Sequence, residues 1–300
     1  MVDLKGSKTC LLILNPRSGK MKIQYELLNI IKLLNQNGYK VEVQTTLYHN
    51  HARDIVLSLS NSPDLIICSG GDGTLNQVVS GLIDADLHIP LGYIPAGSTN
   101  DYANTLGLSF DMLEATHNII NGEKYLLDVG VANKDFYFNY IASFGLFSSV
   151  SYSTPQRQKN ILGHTAYLLN GLNDLANIKT YHIKGKTPTV SFEGDYLLGL
   201  VLNTTSIAGI VKLDPSLVDL SDGLFEVLLI KKPKDILDRS KLVEGLLNRD
   251  YSNPAFTFLK TNNLELYLDN ETSWSLDGEE VKLGNKIEIS NLKQRLCMVL

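Results

Sequence analysis

Residues 64–83 read DLIICSGGDGTLNQVVSGLI and join a strand pattern to a helix pattern through a glycine cluster. The apolar run DLIICS predicts a strand buried on both faces of a parallel sheet, and TLNQVVSGLI restarts the helical period. Glycines at such a junction let the backbone approach phosphate oxygens, and the helix N-terminus adds unpaired N–H groups. The stretch therefore predicts an α/β fold with a phosphate-binding turn, or alternatively a plain turn capped by Thr74.

The sequence around this stretch repeats the alternation of strand and helix. Further strands are predicted at 9–15, 39–45 and 89–94, and helices at 23–34 and 52–59. Strands that alternate with helices predict right-handed crossovers and an open, mainly parallel sheet. Ligands of such sheets bind at the carboxyl ends of the strands.

The pattern changes beyond about Leu126, where short strand patterns dominate. Strands are predicted at 136–141, 180–183, 189–192, 196–203, 224–231, 264–268 and 286–289, and helices at 164–177 and 234–249. Glu193-Gly194-Asp195 is interpreted as a turn between two of these strands. We therefore predict an α/β N-terminal domain over 1–126 and a β-rich sandwich domain over 127–300, whose last strand packs back near the first domain.

Charge and cysteine content exclude several classes of function. The 300 residues carry 27 basic and 32 acidic side chains, a net charge of -5 that does not suit a nucleic-acid partner. The three cysteines are odd in number and widely spaced, which excludes a disulfide framework and a cysteine-based metal site. No apolar run approaches the ~20 residues that span a bilayer, so we expect a cytoplasmic protein with at most peripheral membrane contact.

Two further loops follow predicted strands at the same sheet edge. Asn15-Pro16-Arg17-Ser18-Gly19-Lys20 follows the first strand, and residues 95–101, PAGSTND, follow the fourth. Each alone is typical of an ordinary turn, but three small-residue loops at one edge favour a nucleotide site. Asp72 would repel bare phosphate there unless Mg²⁺ or an acceptor hydroxyl lies between them, and a kinase supplies both.

Four stretches together resemble the diacylglycerol kinase catalytic family, specifically its bacterial lipid kinases. They are NPRSG at 15–19, GGDGTLN at 70–76, GSTND at 97–101 and LDGE at 276–279. The GGDGT motif also occurs in NAD kinases, and a relative of it in phosphofructokinases, so the first domain is expected to share that fold. The resemblance implies ATP-dependent phosphorylation of a lipid hydroxyl, commonly diacylglycerol giving phosphatidic acid, with Mg²⁺ as cofactor.

The resemblance also implies roles for individual residues. Glu279 corresponds to the family's general base, which accepts the proton of the lipid hydroxyl, while Asp72, Asp101 and Asp128 lie near the catalytic Mg²⁺. The expected ATP-binding residues are Asn15, Pro16, Arg17, Ser18, Gly19, Thr46, Gly70, Gly71, Asp72, Gly73, Thr74, Leu75, Asn76 and Ser98. The residues alone favour a hairpin turn at Asp277-Gly278 and a cap or turn residue at Asp128.

A second metal site is implied by the loop at 219–224, DLSDGL. Similar bacterial proteins hold a structural Mg²⁺ with residues that correspond to Asp222, Asp219 and Leu224, although a turn without an ion is the alternative. The chain departs from the family pattern at Gln77, where many relatives have Glu, and at His51, where a Gly-Asp pair is common. These departures affect the details of metal or ribose binding.

Several alternatives stay open at this stage. The acceptor could instead be phosphatidylglycerol, undecaprenol, a sphingoid base or NAD, and a nucleotide-binding regulatory protein without catalysis is a third hypothesis. Apolar runs at 144–147 and 207–211 are hypothesised to line an acyl groove, or else to be core. We expect the protein to work peripherally at the inner face of the membrane, and a homodimer through exposed sheet edges is a further hypothesis.

Overall fold

The structure, a computed structural model, describes residues 8–19, 21, 23–145, 179–207 and 211–300. It divides the chain into two compact units, Met1–Leu127 together with Gln294–Leu300, and Asp128–Lys293. The helix predicted at 164–177 lies outside the described residues. Within the part of the chain that is described, no helix is both long and apolar enough to cross a bilayer.

The first unit is an α/β structure, as the alternating pattern predicts. Its elements are β1 (Lys8–Leu14), α1 (Ile23–Gln36), β2 (Tyr39–Thr45), α2 (His51–Leu57), β3 (Leu65–Gly70), α3 (Asp72–Asp84), β4 (Leu91–Pro95), α4 (Asp101–Thr105) and α5 (Met112–Asn121). Parallel pairing of β1 with β2 and β3, and of β3 with β4, gives the order β2-β1-β3-β4. The carboxyl ends of these strands therefore share one edge, where their loops can meet.

The apolar runs of the sequence form the core of this unit. Every residue of β3 is buried, and Leu12 of β1 is fully buried. On α1, Ile23, Ile30 and Leu34 pack against the sheet, because their spacing places them on one face of the helix. A rigid sheet of this kind holds the loops at its carboxyl edge in fixed positions.

The second unit is β-rich, also as predicted. Two strands cross the unit boundary, β5 (Lys124–Ala132) at its beginning and β17 (Lys286–Val299) at its end. Between them its elements are β6 (Phe136–Phe138), β7 (Ile141–Gly145), β8 (Tyr181–Lys186), β9 (Ser191–Leu202), β10 (Ser206–Ile207), β11 (Val211–Lys212), a 3-10 turn (Pro215–Leu217), β12 (Phe225–Lys231), α6 (Ile236–Asn248), β13 (Phe256–Thr261), β14 (Asn263–Leu268), β15 (Ser273–Leu276) and β16 (Glu279–Lys282). The pairs β8-β9, β7-β9, β9-β12, β12-β13 and β15-β16 are all antiparallel.

The prediction of a turn at Glu193-Gly194-Asp195 is wrong. These residues lie within β9 and pair with β8, Gly194 opposite Ile183. The chain reverses earlier, at Thr187, whose hydroxyl accepts a hydrogen bond from the Val190 N–H at 3.0 Å. Pairing with β8 along the whole stretch overrides the local turn preference of the Gly-Asp pair.

Aromatic side chains fill the core of the second unit. Phe144 of β7 packs on Trp274 of β15 with ring centroids 4.8 Å apart, and both are fully buried. Phe144 is therefore a core residue and not part of an acyl groove, while Leu146, Phe147 and residues 208–210 of the hypothesised groove lie outside the described residues. This packing supports β15, the strand that leads into the turn before Glu279.

Candidate active site

The loops after β1, β3 and β4 lie in backbone contact, as convergence at one sheet edge predicts. A Cβ atom on Gly97 would lie 2.5 Å from the Gly71 Cα, and one on Gly19 would lie 2.4 Å from the Ala96 carbonyl oxygen. Only glycine allows main chains to approach this closely. The three glycine-containing loops thus form one surface, which we call the three-loop edge.

Side-chain hydrogen bonds connect two of these loops. The Asn15 side-chain amide donates to the Thr74 hydroxyl at 3.1 Å, and Asn15 Oδ1 accepts from the Arg17 N–H at 2.9 Å. The Asn15 N–H in turn donates to the Ser69 carbonyl at 2.9 Å. Asn15 therefore fixes the loop after β1 to the beginning of α3.

Tyr93 and Asn100 make buried hydrogen bonds to the loops of the three-loop edge, and sequence reasoning assigned a role to neither residue. The Asn100 side chain is buried and accepts from the Gly97 N–H at 2.8 Å. The Tyr93 hydroxyl donates to the Gly70 carbonyl at 3.2 Å and lies 3.3 Å from Asn100 Oδ1. Burial, and secondly the negative charge of Asp72, raise the pKa of Tyr93 well above its usual value, so the hydroxyl stays a donor. The signal in the sequence was the residue type alone, because asparagine tolerates the left-handed conformation that Asn100 adopts, with φ of 50°.

Asp72 and Asp101 are brought together by a helix cap. The Asp72 carboxylate accepts from the Asp101 N–H at 3.0 Å and from the Tyr102 N–H at 3.4 Å, so it caps α4 from 29 residues away. α3 begins at Asp72, two residues earlier than predicted, with Gly71 as its N-cap. The Asp72 carboxylate thus lies at the main chain of Asp101, and both residues carry the hard oxygen atoms that Mg²⁺ prefers as ligands.

The remaining predicted ATP-binding residues lie around this edge with different exposure. Thr46 is joined to the end of β1 by a hydrogen bond from its N–H to the Leu14 carbonyl at 2.9 Å. Leu75 is fully buried and its N–H donates to Gly71, so its side chain belongs to the core. Pro16, Arg17 and Ser98 are exposed, whereas Ser18, Gly73 and Asn76 are partly buried. Contact of any of them with ATP stays a prediction.

In the second unit, Glu279 follows a two-residue hairpin turn. Leu276 pairs with Glu279 across the turn, and the two central residues, Asp277 and Gly278, have φ values of 48° and 91°. Two successive positive φ angles define the tight hairpin turn that Asp-Gly favours, so the turn prediction is confirmed. Glu279 begins β16 and is exposed to solvent.

Asp128 is buried in the second unit against the loop of the expected structural metal site. Its carboxylate accepts from the Gly223 N–H at 2.6 Å and from the Asn291 side-chain amide at 3.2 Å. Its own N–H donates to the Leu220 carbonyl at 2.8 Å. The structure thus gives Asp128 a definite role in holding this loop, and its expected role near the catalytic Mg²⁺ stays a prediction.

The two aspartates of that loop make local turns. Asp219 accepts from the N–H and hydroxyl of Ser221, which lower the pKa of its carboxyl group, and Asp222 accepts from the Leu224 N–H at 2.7 Å. Across the described ranges, no group of three or more His, Cys, Asp or Glu side chains is arranged to hold a metal. A site made of Asp222, Asp219 and Leu224 therefore rests on the resemblance.

Comparison with known proteins agrees with this geometry. A family model described as diacylglycerol kinase catalytic domain matches residues 9–132, which include all three loops of the edge. The diacylglycerol kinase of Bacillus subtilis is 31% identical over 275 residues, covering 91% of this chain and 90% of the relative. The chain belongs to the diacylglycerol kinase catalytic family. As a member of it, the protein is an enzyme of the lipid kinase type.

Other members of the family extend the likeness over the whole chain. The diacylglycerol kinase of Staphylococcus saprophyticus is 30% identical over 293 residues, covering 96% of this chain and 94% of the relative. A crystal structure from Bacillus anthracis superposes with a TM-score of 0.81 at 25% identity, covering 97% of this chain and 95% of the other. This lipid kinase thus shares its fold with a solved structure over nearly the whole chain.

Proposed function

We propose that this lipid kinase transfers the γ-phosphoryl group of Mg-ATP to the hydroxyl of diacylglycerol and releases phosphatidic acid and ADP. The observation that carries the nucleotide half of this proposal is the three-loop edge, where glycine is required at Gly19 and Gly97 and the main chain of Gly97 lies against Gly71. Relatives named diacylglycerol kinase over nearly the full chain support the choice of acceptor. The enzyme would work at the inner face of the membrane that contains its substrate.

The residues of the three-loop edge fit a bound triphosphate. Gly71 is the N-cap of α3 and has no side chain that could occupy the N–H groups of the first turn. The N–H groups of a first helical turn and the positive end of the helix dipole favour an anion at this position. Bound Mg²⁺ neutralises negative charge that builds up on the phosphates during transfer, and Asp72 and Asp101 are the residues that would hold it.

Glu279 is the residue proposed to accept the proton. In the reaction, the lipid hydroxyl oxygen forms a bond to the γ-phosphorus, the bond from that phosphorus to the bridging oxygen of ADP breaks, and the hydroxyl proton passes to Glu279. The Glu279 carboxylate is exposed beside the hairpin turn, so a substrate can contact it without a change in the pairing of β15 and β16. Positioning contributes more than basicity in such a reaction, because phosphoryl transfer relies mainly on alignment and metal electrostatics.

The proposal is tested by following labelled γ-phosphate from Mg-ATP into a panel of acceptors in mixed micelles. The panel contains diacylglycerol, phosphatidylglycerol, undecaprenol, a sphingoid base and NAD. We expect label in phosphatidic acid, its loss in Glu279→Gln, and its retention in Glu280→Gln, a matched control on the next residue of β16. Label confined to another acceptor, or equal loss in both variants, would overturn the assignment of substrate or base.

A further inference from the structure

Asp277, directly before the glycine of the hairpin turn, makes a dense set of hydrogen bonds. Its side chain is buried, and Oδ2 accepts from the N–H and the side-chain amide of Asn139, at 2.6 and 3.0 Å. Oδ1 accepts from the N–H groups of Tyr140 and Ile141, at 3.0 and 3.2 Å. Asp277 also donates its own N–H to the Ile141 carbonyl at 2.9 Å. One residue thus holds the turn to the segment 139–141.

The acceptor geometry explains why an aspartate occupies this position. Successive N–H groups of an irregular segment form a concave site for an anion, and the Asp277 carboxylate occupies it. Aspartate also tolerates the left-handed backbone conformation, here with φ of 48°, better than most residues. The same residue therefore satisfies buried donors and forms the first half of the turn.

The segment that receives Asp277 is itself fixed in the second unit. Asn203, at the end of β9, donates its N–H to the Tyr140 carbonyl at 2.9 Å and its side-chain amide to the Asn139 carbonyl at 3.4 Å. Asn203 is fully buried. The hairpin turn is consequently attached to a rigid support and not to a second loop free to move.

We propose that Asp277 is a positioning residue for the transfer reaction, and that its carboxylate fixes the turn from which Glu279 acts. The inference rests on the proposed function, because it requires Glu279 to be the base. Asp277 is buried, so we expect it to act without contact to the substrate. Its effect passes through the two-residue turn, in which any rotation of residues 277 and 278 displaces the first residue of β16.

A double-mutant cycle of Asp277→Asn and Glu279→Gln tests the coupling, measured as single-turnover transfer of labelled phosphate to diacylglycerol in micelles. Asp277→Asn keeps the shape of the side chain but places an amide group against the backbone N–H donors of residues 139–141. We expect its rate of transfer to fall by roughly 10- to 100-fold, as for displacement of a reacting group by about 1 Å, with the KM values for ATP and lipid changed less than about 2-fold. In the Glu279→Gln background the same change should cause no further loss.

Additive losses in the cycle would overturn the inference, since a residue that merely stabilises the fold does not act through Glu279. If Glu279→Gln alone keeps full activity, Glu279 is not the base, and both the proposed function and the inference fail. Additive losses in the cycle refute the inference alone, so the two failures can be told apart. Asn139→Ala removes only one bond to Asp277 and should give a smaller loss, again absent in the Glu279→Gln background. This milder variant decides the question where Asp277→Asn does not fold.

A control separates positioning from general destabilisation. Asn263→Ala removes a side-chain amide that donates to the Ser290 hydroxyl at 2.9 Å, elsewhere in the same unit. We expect it to lower the thermal unfolding temperature without changing the rate of transfer. A loss of transfer equal to that of Asn139→Ala would show that any weakened hydrogen bond in this unit has the same effect, and would contradict the proposal.

Discussion

Replacing Gly97 by alanine should disrupt the three-loop edge. The added Cβ would lie 2.5 Å from the Gly71 Cα and 2.5 Å from Asn100 Oδ1, whereas carbon atoms in contact sit at about 3.5–4.0 Å. The loops must therefore separate by roughly 1 Å, because the Gly71 main chain cannot rotate away. Overpacking of this kind costs about 1–3 kcal/mol of unfolding free energy. A displacement of about 1 Å at a reacting site can reduce the rate about 100-fold.

Urea unfolding followed by circular dichroism measures the first effect, and the kcat/KM for ATP in the phosphate-transfer assay measures the second. Gly194→Ala is the matched control, since its Cβ would meet only the Tyr196 ring, at an ordinary contact distance of 3.5 Å. We expect the control to keep its stability and its activity. If Gly97→Ala behaves like Gly194→Ala in both measurements, close backbone contact between these loops is not required and the reasoning is refuted.

Three further predictions concern single side chains of the first unit. Thr74→Val removes the hydroxyl that accepts a hydrogen bond from Asn15. The unfolding free energy, measured by urea unfolding, should therefore fall by about 1 kcal/mol, and the KM for ATP, measured by steady-state kinetics, should rise. An unchanged KM would contradict a role for this hydrogen bond in ATP binding. Tyr93→Phe removes the donor to the Gly70 carbonyl and should cost about 1 kcal/mol in the same unfolding experiment, and full stability would contradict the hydrogen bond. Burial raises the pKa of Cys10 to about 12, so above about pH 8.5 the unfolded chain loses a proton that the folded chain keeps, and stability falls as pH rises. Cys10→Ala should reduce this fall by about 1.4 kcal/mol per pH unit between pH 9.5 and 11, and an unchanged slope would show that the thiol ionises in the folded protein.

Local patterns predicted the parts of the fold that depend on neighbouring residues. The strand at 39–45 has the predicted bounds, and the Asp-Gly turn before Glu279 follows from the backbone freedom of its own two residues. The meeting of the three loops follows from parallel pairing, which places the ends of β1, β3 and β4 at one edge. These features require little information from distant parts of the chain.

Features that depend on distant partners could not be predicted in this way. The short helix α4 is capped by Asp72, which lies 29 residues earlier, and the sequence of residues 101–105 does not predict that partner. The Asp277 carboxylate accepts a hydrogen bond from Asn139, which lies 138 residues away. Local sequence therefore predicted the turn at Asp277 but not the role of its carboxylate. The continuous strand β9 forms because β8 pairs with residues that locally favour a turn.

The central claim, transfer from Mg-ATP to diacylglycerol with Glu279 as base, is tested most directly by the stoichiometry of the products. Purified protein is incubated with Mg-ATP and diacylglycerol micelles, and phosphatidic acid is measured by mass spectrometry beside ADP. We predict one phosphatidic acid per ADP for the native chain and, for Glu279→Gln, formation of both products at a rate lower by about 10²- to 10⁴-fold. ADP formed without phosphatidic acid, or phosphatidic acid formed at the native rate by Glu279→Gln, would contradict the account.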